Sequence, residues 1–260
     1  MRPDLSENAA DDSEDSNLQK EHFMERKRVL CFGDSNTYGW MGSLVAPTRR
    51  YPASVRWTGR LAAGLGEEWD VLEEGLGGRT LRDRRTEGSG IPLPGAGLSA
   101  MDYLPSCLLS HLPLDAVIVM LGSNDMKSVL RHSETDIADA MADLVDMIRL
   151  LPWESLLDYP HPGVIIVSPP LIGERKMLLS GARYADAPRK SRMLAGLYRK
   201  VAESRGAFFL DAAEALAGDP WGEAHGPDGM HLDEKDHARL AEALLGIMRS
   251  AFPSGKPVAS

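Results

Sequence analysis

A serine, a histidine and an aspartate of this sequence could together carry out acyl transfer. Ser35 directly follows an apolar run that ends in Gly33 and Asp34, and Asp228 precedes His231 by three residues. A serine hydroxyl is a weak nucleophile at neutral pH and needs a base beside it. His231 can take the hydroxyl proton, and Asp228 can hold the imidazole through its other nitrogen. The three residues therefore predict a serine nucleophile with its base and an orienting carboxylate.

Acyl transfer also needs hydrogen-bond donors for the oxyanion of the tetrahedral intermediate. We expect three of them: the backbone N–H groups of Ser35 and Gly78 and the side-chain amide of Asn124. Glycine at positions 77 and 78 permits close backbone approach and unusual backbone angles, and Gly77 is an alternative donor to Gly78. For Asn124, the alternative role is to cap a turn.

Ser35 also has a structural interpretation, and His231 has two competitors for the role of the base. Asp and Ser are preferred at the N-terminus of a helix, so Ser35 taken alone could be a helix cap. His225 and His237 are alternative bases, but only His231 follows an aspartate by three residues in a loop between a strand and a helix. We expect His237, inside the last helix, to be a surface residue.

Five apolar segments with strand character must position these residues. They cover 28–32, 69–75, 115–121, 163–168 and 207–211 and alternate with helical segments. Such alternation predicts an α/β fold in which helices cover both faces of a five-stranded parallel sheet, with strand order 2-1-3-4-5. Because the carboxyl ends of parallel strands share one edge, the polar clusters that follow the first three strands should meet there. The cluster at 228–231 can return to the same edge, and this convergence favours the nucleophile over the cap.

Apolar periodicity predicts helices over 55–65, 133–151, 191–205 and 233–248. A further helix is expected to begin near Leu104, with Pro105 in its first turn. Segments 81–99 and 171–188 show no periodicity, and we expect both to be irregular.

Composition excludes several classes of protein. The 260 residues, 43% of them hydrophobic, suffice for one substantial core, and a net charge of −9 argues against nucleic-acid binding. No run reaches the roughly 18 to 20 apolar residues of a membrane span. Two cysteines cannot form a disulfide framework and, with no signal-like stretch at the start, indicate the cytoplasm. We expect an acidic, disordered tail over 1–26, one domain over 27–252 and a short tail over 253–260.

The same residues carry a family resemblance. The stretches 33–36, 122–125 and 228–231, together with Gly78, resemble the four sequence blocks of the GDSL, or SGNH, hydrolases. Stretches 30–35, 55–59, 73–76, 103–108 and 112–115 are most similar to the bacterial arylesterase and acyltransferase branch of that superfamily. The likeness runs from about Lys27 to the final helix and leaves out the acidic tail.

The resemblance implies a flavodoxin-like three-layer α/β/α fold, a homo-oligomer, and neither metal nor other cofactor. It implies Ser35 as nucleophile, Asp228 and His231 as its partners, and an oxyanion hole of Ser35, Gly78 and Asn124. Two departures stand out: Asn36 replaces the leucine of the family motif, and the loop at 82–99 is longer. Asn36 and Trp40 are candidates for lining the substrate pocket.

We therefore expect a serine esterase that hydrolyses short-chain acyl esters, aryl esters included, through an acyl-enzyme intermediate. The acyl group could also pass to alcohols, and the partner is a small-molecule ester rather than nucleic acid or membrane. A carbohydrate O-acetyl esterase with the same triad is the alternative. Two further alternatives are a metallophosphoesterase, which needs several His and carboxylate ligands around its ions, and a non-catalytic flavodoxin-like binding module.

Overall fold

Five parallel strands form the sheet at the centre of the protein. The computed structural model describes residues 26–43, 49–82, 98–155, 157–216 and 226–253. The strands are β1 (Lys27–Gly33), β2 (Trp69–Gly75), β3 (Ala116–Met120), β4 (Gly163–Val167) and β5 (Phe208–Leu210). All neighbouring strands pair in parallel in the order β2-β1-β3-β4-β5, which confirms the predicted topology.

Eight α-helices accompany the sheet within the described residues. They are α1 (Ser35–Tyr38), α2 (Trp57–Leu65), α3 (Ala100–Ser110), α4 (Glu134–Leu150), α5 (Glu174–Ser180), α6 (Ala187–Arg205), α7 (Ala212–Leu216) and α8 (Glu234–Ala251). The predicted N-caps of α4 and α8, Ser133 and Asp233, both accept backbone N–H groups in capping boxes. In these ranges of the chain, the helices are too short or too polar to cross a membrane.

The start of one helix and the irregular structure of one segment were predicted wrongly. α3 begins at Ala100, so Pro105 lies inside the helix instead of in its first turn. The first N–H groups of α3 donate to the carbonyls of Thr80 and Leu81, and these tertiary bonds fix the earlier start. Segment 171–188, predicted to be irregular, contains α5 and the beginning of α6.

The two faces of the sheet are covered by different helices. Leu30 and Phe32 of β1 point into one cluster, which α3, α4 and α6 complete, and Val29 and Cys31 point into another, which α2 and α8 complete. The alternation of side chains along a strand separates the two clusters. Each fully buried leucine or isoleucine side chain contributes about 1.5–3 kcal/mol, so both layers of helices hold the sheet.

The strand ends that carry the predicted site lie side by side. Gly33 at the end of β1 is in register with Gly75 of β2 and with Met120 of β3. A Cβ atom at Gly33 would lie 2.1 Å from the Thr37 hydroxyl oxygen, and one at Gly75 would lie 2.1 Å from the Tyr38 nitrogen. The two glycines thus allow α1 to cross the carboxyl edge of the sheet in direct contact with it.

Candidate active site

The turn after β1 presents Ser35 at the start of a very short helix. Asp34 is the N-cap of α1, and its side chain accepts the N–H of Asn36 at 2.9 Å. Gly39 ends the helix with a φ of 82°, in the left-handed region that favours glycine. The capping role considered for Ser35 therefore belongs to Asp34, and the Ser35 hydroxyl is left for other partners.

The structure brings Ser35, His231 and Asp228 together in one chain of contacts. His231 Nε2 lies 3.0 Å from Ser35 Oγ, and His231 Nδ1 lies 2.7 Å from Asp228 Oδ2. An ionised carboxylate can only accept, so the Nδ1 proton points to Asp228 and Nε2 is left to accept the serine hydroxyl. This is the arrangement in which a histidine can remove a proton from a serine.

Several donors keep Asp228 ionised. Its Oδ1 accepts the N–H groups of Met230 and His231, at 3.2 and 3.0 Å, and Lys176 Nζ lies 3.1 Å from Oδ2. Burial tends to raise the pKa of Asp228, but the hydrogen bond and charge of His231 and the charge of Lys176 outweigh it. The pKa of Asp228 therefore lies well below its usual value, and the carboxylate is charged at neutral pH.

Asn36, predicted to line the substrate pocket, is directed at the histidine loop instead. Its Nδ2 donates to the Met230 carbonyl at 3.2 Å, and its Oδ1 accepts the Leu232 N–H at 3.0 Å. The side chain is only 2% exposed. Asn36 thus holds the residues on both sides of His231, a function that leucine, the residue of the family motif, could not perform.

Trp40, the other candidate for lining the substrate pocket, lies beside His231. Its ring stacks on the imidazole of His231, with 6.4 Å between ring centroids and an interplanar angle of 25°. The residue is half-buried. Most of the longer loop at 82–99, residues 83–97, lies outside the described residues.

Gly78 and Asn124, the two remaining candidates for the oxyanion hole, lie near each other in the loops that follow β2 and β3. Asn124 is 4% exposed, and its Nδ2 donates to the carbonyl of Arg79 at 3.1 Å, next to Gly78. Gly78 has a φ of 83°, whereas Gly77 is not among the residues with positive φ, so the requirement for glycine is stronger at 78. An amide nitrogen has two hydrogens, and the second N–H of Asn124 remains for another acceptor.

Buried charges lie beneath these loops. Burial raises the pKa of Asp34, and it raises the pKa of Asp125 to about 7; Asp125 accepts the N–H of Leu81 at 2.9 Å. Lys127 is 4% exposed, and burial lowers its pKa to about 8. Sequence reasoning missed Lys127, although its position three residues after Asn124 in the same loop was a signal for it.

Of the two alternative bases, His237 contacts residues other than Ser35, and His225 lies outside the described residues. The prediction that His237 is a surface residue was wrong, because its side chain is completely buried. Its Nδ1 accepts the N–H of Trp57 at 3.2 Å, and its ring meets the edge of Tyr51 at a centroid distance of 5.4 Å. His225 lies in the segment 217–225, which the structure does not describe.

One group of metal-ligand side chains lies together among the described residues. The ligand atoms of Glu74, Cys107 and His111 lie within 4.8 Å of one another. Glu74 Oε1 is already 3.0 Å from His111 Nε2, and its Oε2 accepts the Tyr103 hydroxyl at 3.1 Å. Burial, followed by the charge of Glu74, raises the pKa of Cys107 to about 12, so the thiolate that a metal needs is disfavoured. We interpret the group as a hydrogen-bonded contact between β2 and α3.

Comparison with protein families identifies the chain at the level of its superfamily. The model of the GDSL-like lipase/acylhydrolase family matches residues 31–239. The chain belongs to this family. This GDSL-like acylhydrolase is accordingly a carboxylic ester hydrolase, the enzyme class that the residue pattern predicted. A comparison with functionally curated proteins returned no match.

Solved structures with esterase activities resemble this acylhydrolase over most of its length. Est24, a carbohydrate acetylesterase from Sinorhizobium meliloti, is 35% identical with a TM-score of 0.76, over 87% of this chain and 100% of that chain. The native aryl esterase of M. smegmatis is 38% identical with a TM-score of 0.75, over 86% and 99%. A lipase/acylhydrolase from Enterococcus faecalis, at 17% identity and a TM-score of 0.60 over 88% and 100%, shares the fold.

Proposed function

We propose that this acylhydrolase is a serine esterase that hydrolyses short-chain acyl esters, aryl esters among them, through an acyl-enzyme on Ser35. The observation that supports it best is the contact chain Ser35–His231–Asp228, with distances of 3.0 and 2.7 Å. The three residues come from opposite ends of the sequence, and a merely structural pairing would not require the serine hydroxyl and the carboxylate on opposite nitrogens of one imidazole.

In the proposed reaction, Ser35 Oγ attacks the ester carbonyl while His231 Nε2 takes the hydroxyl proton. Asp228 stabilises the imidazolium that forms, and the N–H groups of Ser35, Gly78 and Asn124 receive the oxyanion. The intermediate collapses, the bond to the alcohol breaks, and His231 gives its proton to the leaving alcohol. Water then attacks the acyl-enzyme with His231 as base, which releases the carboxylic acid and restores Ser35.

The surroundings of Ser35 favour a small acyl group. The ring of Trp40 stacks on the imidazole of His231, whose Nε2 lies 3.0 Å from Ser35 Oγ, and we infer that it limits the room for a long acyl chain. The similarity to a carbohydrate acetylesterase fits an acetyl group, and the similarity to an aryl esterase fits an aryl leaving group. A carbohydrate O-acetyl esterase is therefore the second candidate, and the likeness to Est24 is the observation that favours it.

Three further features belong to the proposal. Discharge of the acyl-enzyme by an alcohol instead of water would make the protein an acyltransferase as well. A homo-oligomer that covers the mouth of the site would favour such transfer by excluding water. The buried free thiols of Cys31 and Cys107 fit a reducing, cytoplasmic location for a hydrolase domain over 27–252.

The test compares wild type, Ser35→Ala and Ser110→Ala on a chromogenic acetate ester. Ser110 is exposed near the C-terminal end of α3 and serves as a matched serine control. We expect Ser35→Ala to lose all activity above background and Ser110→Ala to keep the wild-type rate. Full activity of Ser35→Ala would overturn the proposal. Rates on acetylated oligosaccharides, longer acyl chains and added alcohol then separate the two candidates.

A further inference from the structure

The loop that bears the proposed triad residues rests on the first turn of α5. The N–H of Gly173 donates to the Gly229 carbonyl at 3.2 Å. A Cβ atom at Gly229 would lie 3.0 Å from the backbone nitrogen of Lys176 and 3.1 Å from Arg175 Cβ. Gly229 also has a φ of 69°, so glycine suits both its conformation and this close approach. The contact places α5 directly beside Asp228 and His231.

Lys176 extends from α5 to the same carboxylate oxygen that His231 contacts. Its Nζ lies 3.1 Å from Asp228 Oδ2, while His231 Nδ1 lies 2.7 Å from that atom. The side chains of Lys176 and Asp228 are only 14% and 11% exposed, so water screens their interaction weakly. The ammonium also lies 5.5 Å from the ring centroid of Tyr184, within the range of a cation–π contact.

We propose that Lys176 is a positioning residue that shares Asp228 with His231 and thereby keeps the imidazole in its unprotonated, basic form toward lower pH. The inference rests on the proposed function, because it concerns the base of that reaction. Lys176 acts through Asp228 and does not contact the reacting atoms.

The physical reason is the competition of two cations for one carboxylate. A carboxylate 2.7 Å from Nδ1 attracts positive charge, so an unshared Asp228 favours the protonated imidazole, which cannot accept the serine proton. A fixed ammonium on the same oxygen offsets part of that negative charge while it leaves the carboxylate ionised and its hydrogen bond to Nδ1 intact. The base then remains available at a pH where it would otherwise be protonated.

Other charged groups around the pair belong to neighbouring elements. Asp34 of the turn after β1 and His237 of α8 interact electrostatically with His231. Lys127 of the loop after β3 interacts with Lys176. All of these residues are retained in the Lys176 variants. Of them, Lys127 interacts with Lys176 itself, and its pKa of about 8 lies toward the basic end of the measured range.

The experiment measures kcat/KM for a chromogenic acetate ester from pH 5 to 9, with each variant normalised to its own plateau. The variants are Lys176→Met, Lys176→Arg and, as matched control, Arg175→Gln, which removes an exposed cation from the same helix. Normalisation removes any loss of folded protein from the comparison. We expect the acidic half-maximum of Lys176→Met to move up by about 0.5–1 pH unit, a three- to tenfold loss well below it. Lys176→Arg and Arg175→Gln should keep the wild-type profile.

Coincident profiles of wild type and Lys176→Met, or a shift of Lys176→Met to lower pH, would overturn the inference. With Ser35→Ala inactive, either result would leave the proposed function untouched. Full activity of Ser35→Ala would instead overturn the proposed function and this inference with it.

Discussion

His231 and His237 lie six residues apart, yet their surroundings give the same side chain opposite properties. His231 lies between a serine hydroxyl and a carboxylate, with 13% of its side chain exposed. His237 is fully buried; its Nδ1 accepts a backbone N–H, and its Nε2 has no hydrogen-bond partner among the described residues. Burial lowers the pKa of His237 to about 4, although the charge of Asp233 opposes the change. Proximity in sequence therefore says little about which histidine can act as a base.

Replacing each histidine in turn should give the largest difference in kcat between two variants. His231→Ala should lower kcat by about 10⁴-fold or more, because the base is lost. His237→Asn keeps an acceptor near the position of Nδ1 and should retain kcat within about twofold at pH 7.5, because a structural acceptor makes no contact that strengthens in the transition state. Steady-state rates on the acetate ester, with circular dichroism as a control of folding, measure both. A folded His237→Asn variant as inactive as His231→Ala would abolish the distinction.

The support of the His231 loop by Asn36 predicts an intermediate effect. Asn36→Leu restores the residue of the family motif but leaves the Met230 carbonyl and the Leu232 N–H without their present partner. We expect kcat to fall by about 10- to 100-fold, because small displacements of a catalytic group are costly. Asn36→Ser can satisfy one of the two backbone groups, so its kcat should lie between those of wild type and Asn36→Leu. Unchanged kinetics in Asn36→Leu would show that the position of His231 does not depend on the two hydrogen bonds of Asn36.

The buried state of His237 predicts a pH dependence of stability. Since its folded pKa of about 4 lies below the value of about 6.5 in the unfolded chain, the unfolded state binds more protons between these values. This contribution to stability is complete above pH 6.5 and decreases as the pH falls toward 4. Wild type should lose about 2 kcal/mol more than His237→Asn between pH 7 and 5. Urea titrations at both pH values measure it, and parallel losses in the two proteins would contradict the assignment.

Local patterns in the sequence were sufficient for the sheet and for the three triad candidates. Apolar runs bounded by glycine and polar residues mark the strands, and parallel pairing then brings their polar ends to one edge. α5 escaped prediction because its apolar residues are consecutive, at 177–179, and form no stripe at helical spacing; none of its seven residues is buried. Lys176 was missed along with it. The contacts of Asn36 reach backbone groups 194 and 196 residues away, which no local pattern can indicate.

The error at His237 had a different origin. His237, Leu240, Ala241, Leu244 and Met248 are all buried and follow the helical repeat along α8. The spacing thus placed His237 on the apolar stripe, and only its polar type suggested the surface. The position in the repeat was the more reliable signal, and it separates this residue from His231 in the loop before the helix.

The central claim, that Ser35 is the nucleophile, is tested most directly by mapping a covalent adduct. An aryl phosphonate ester transfers a stable phosphonyl group to an activated serine, and mass spectrometry of the digested protein locates it. We predict one phosphonyl group per chain on the peptide that contains Ser35, and none in His231→Ala under the same conditions. A phosphonyl group on a different residue, accompanied by loss of esterase activity, would contradict the account.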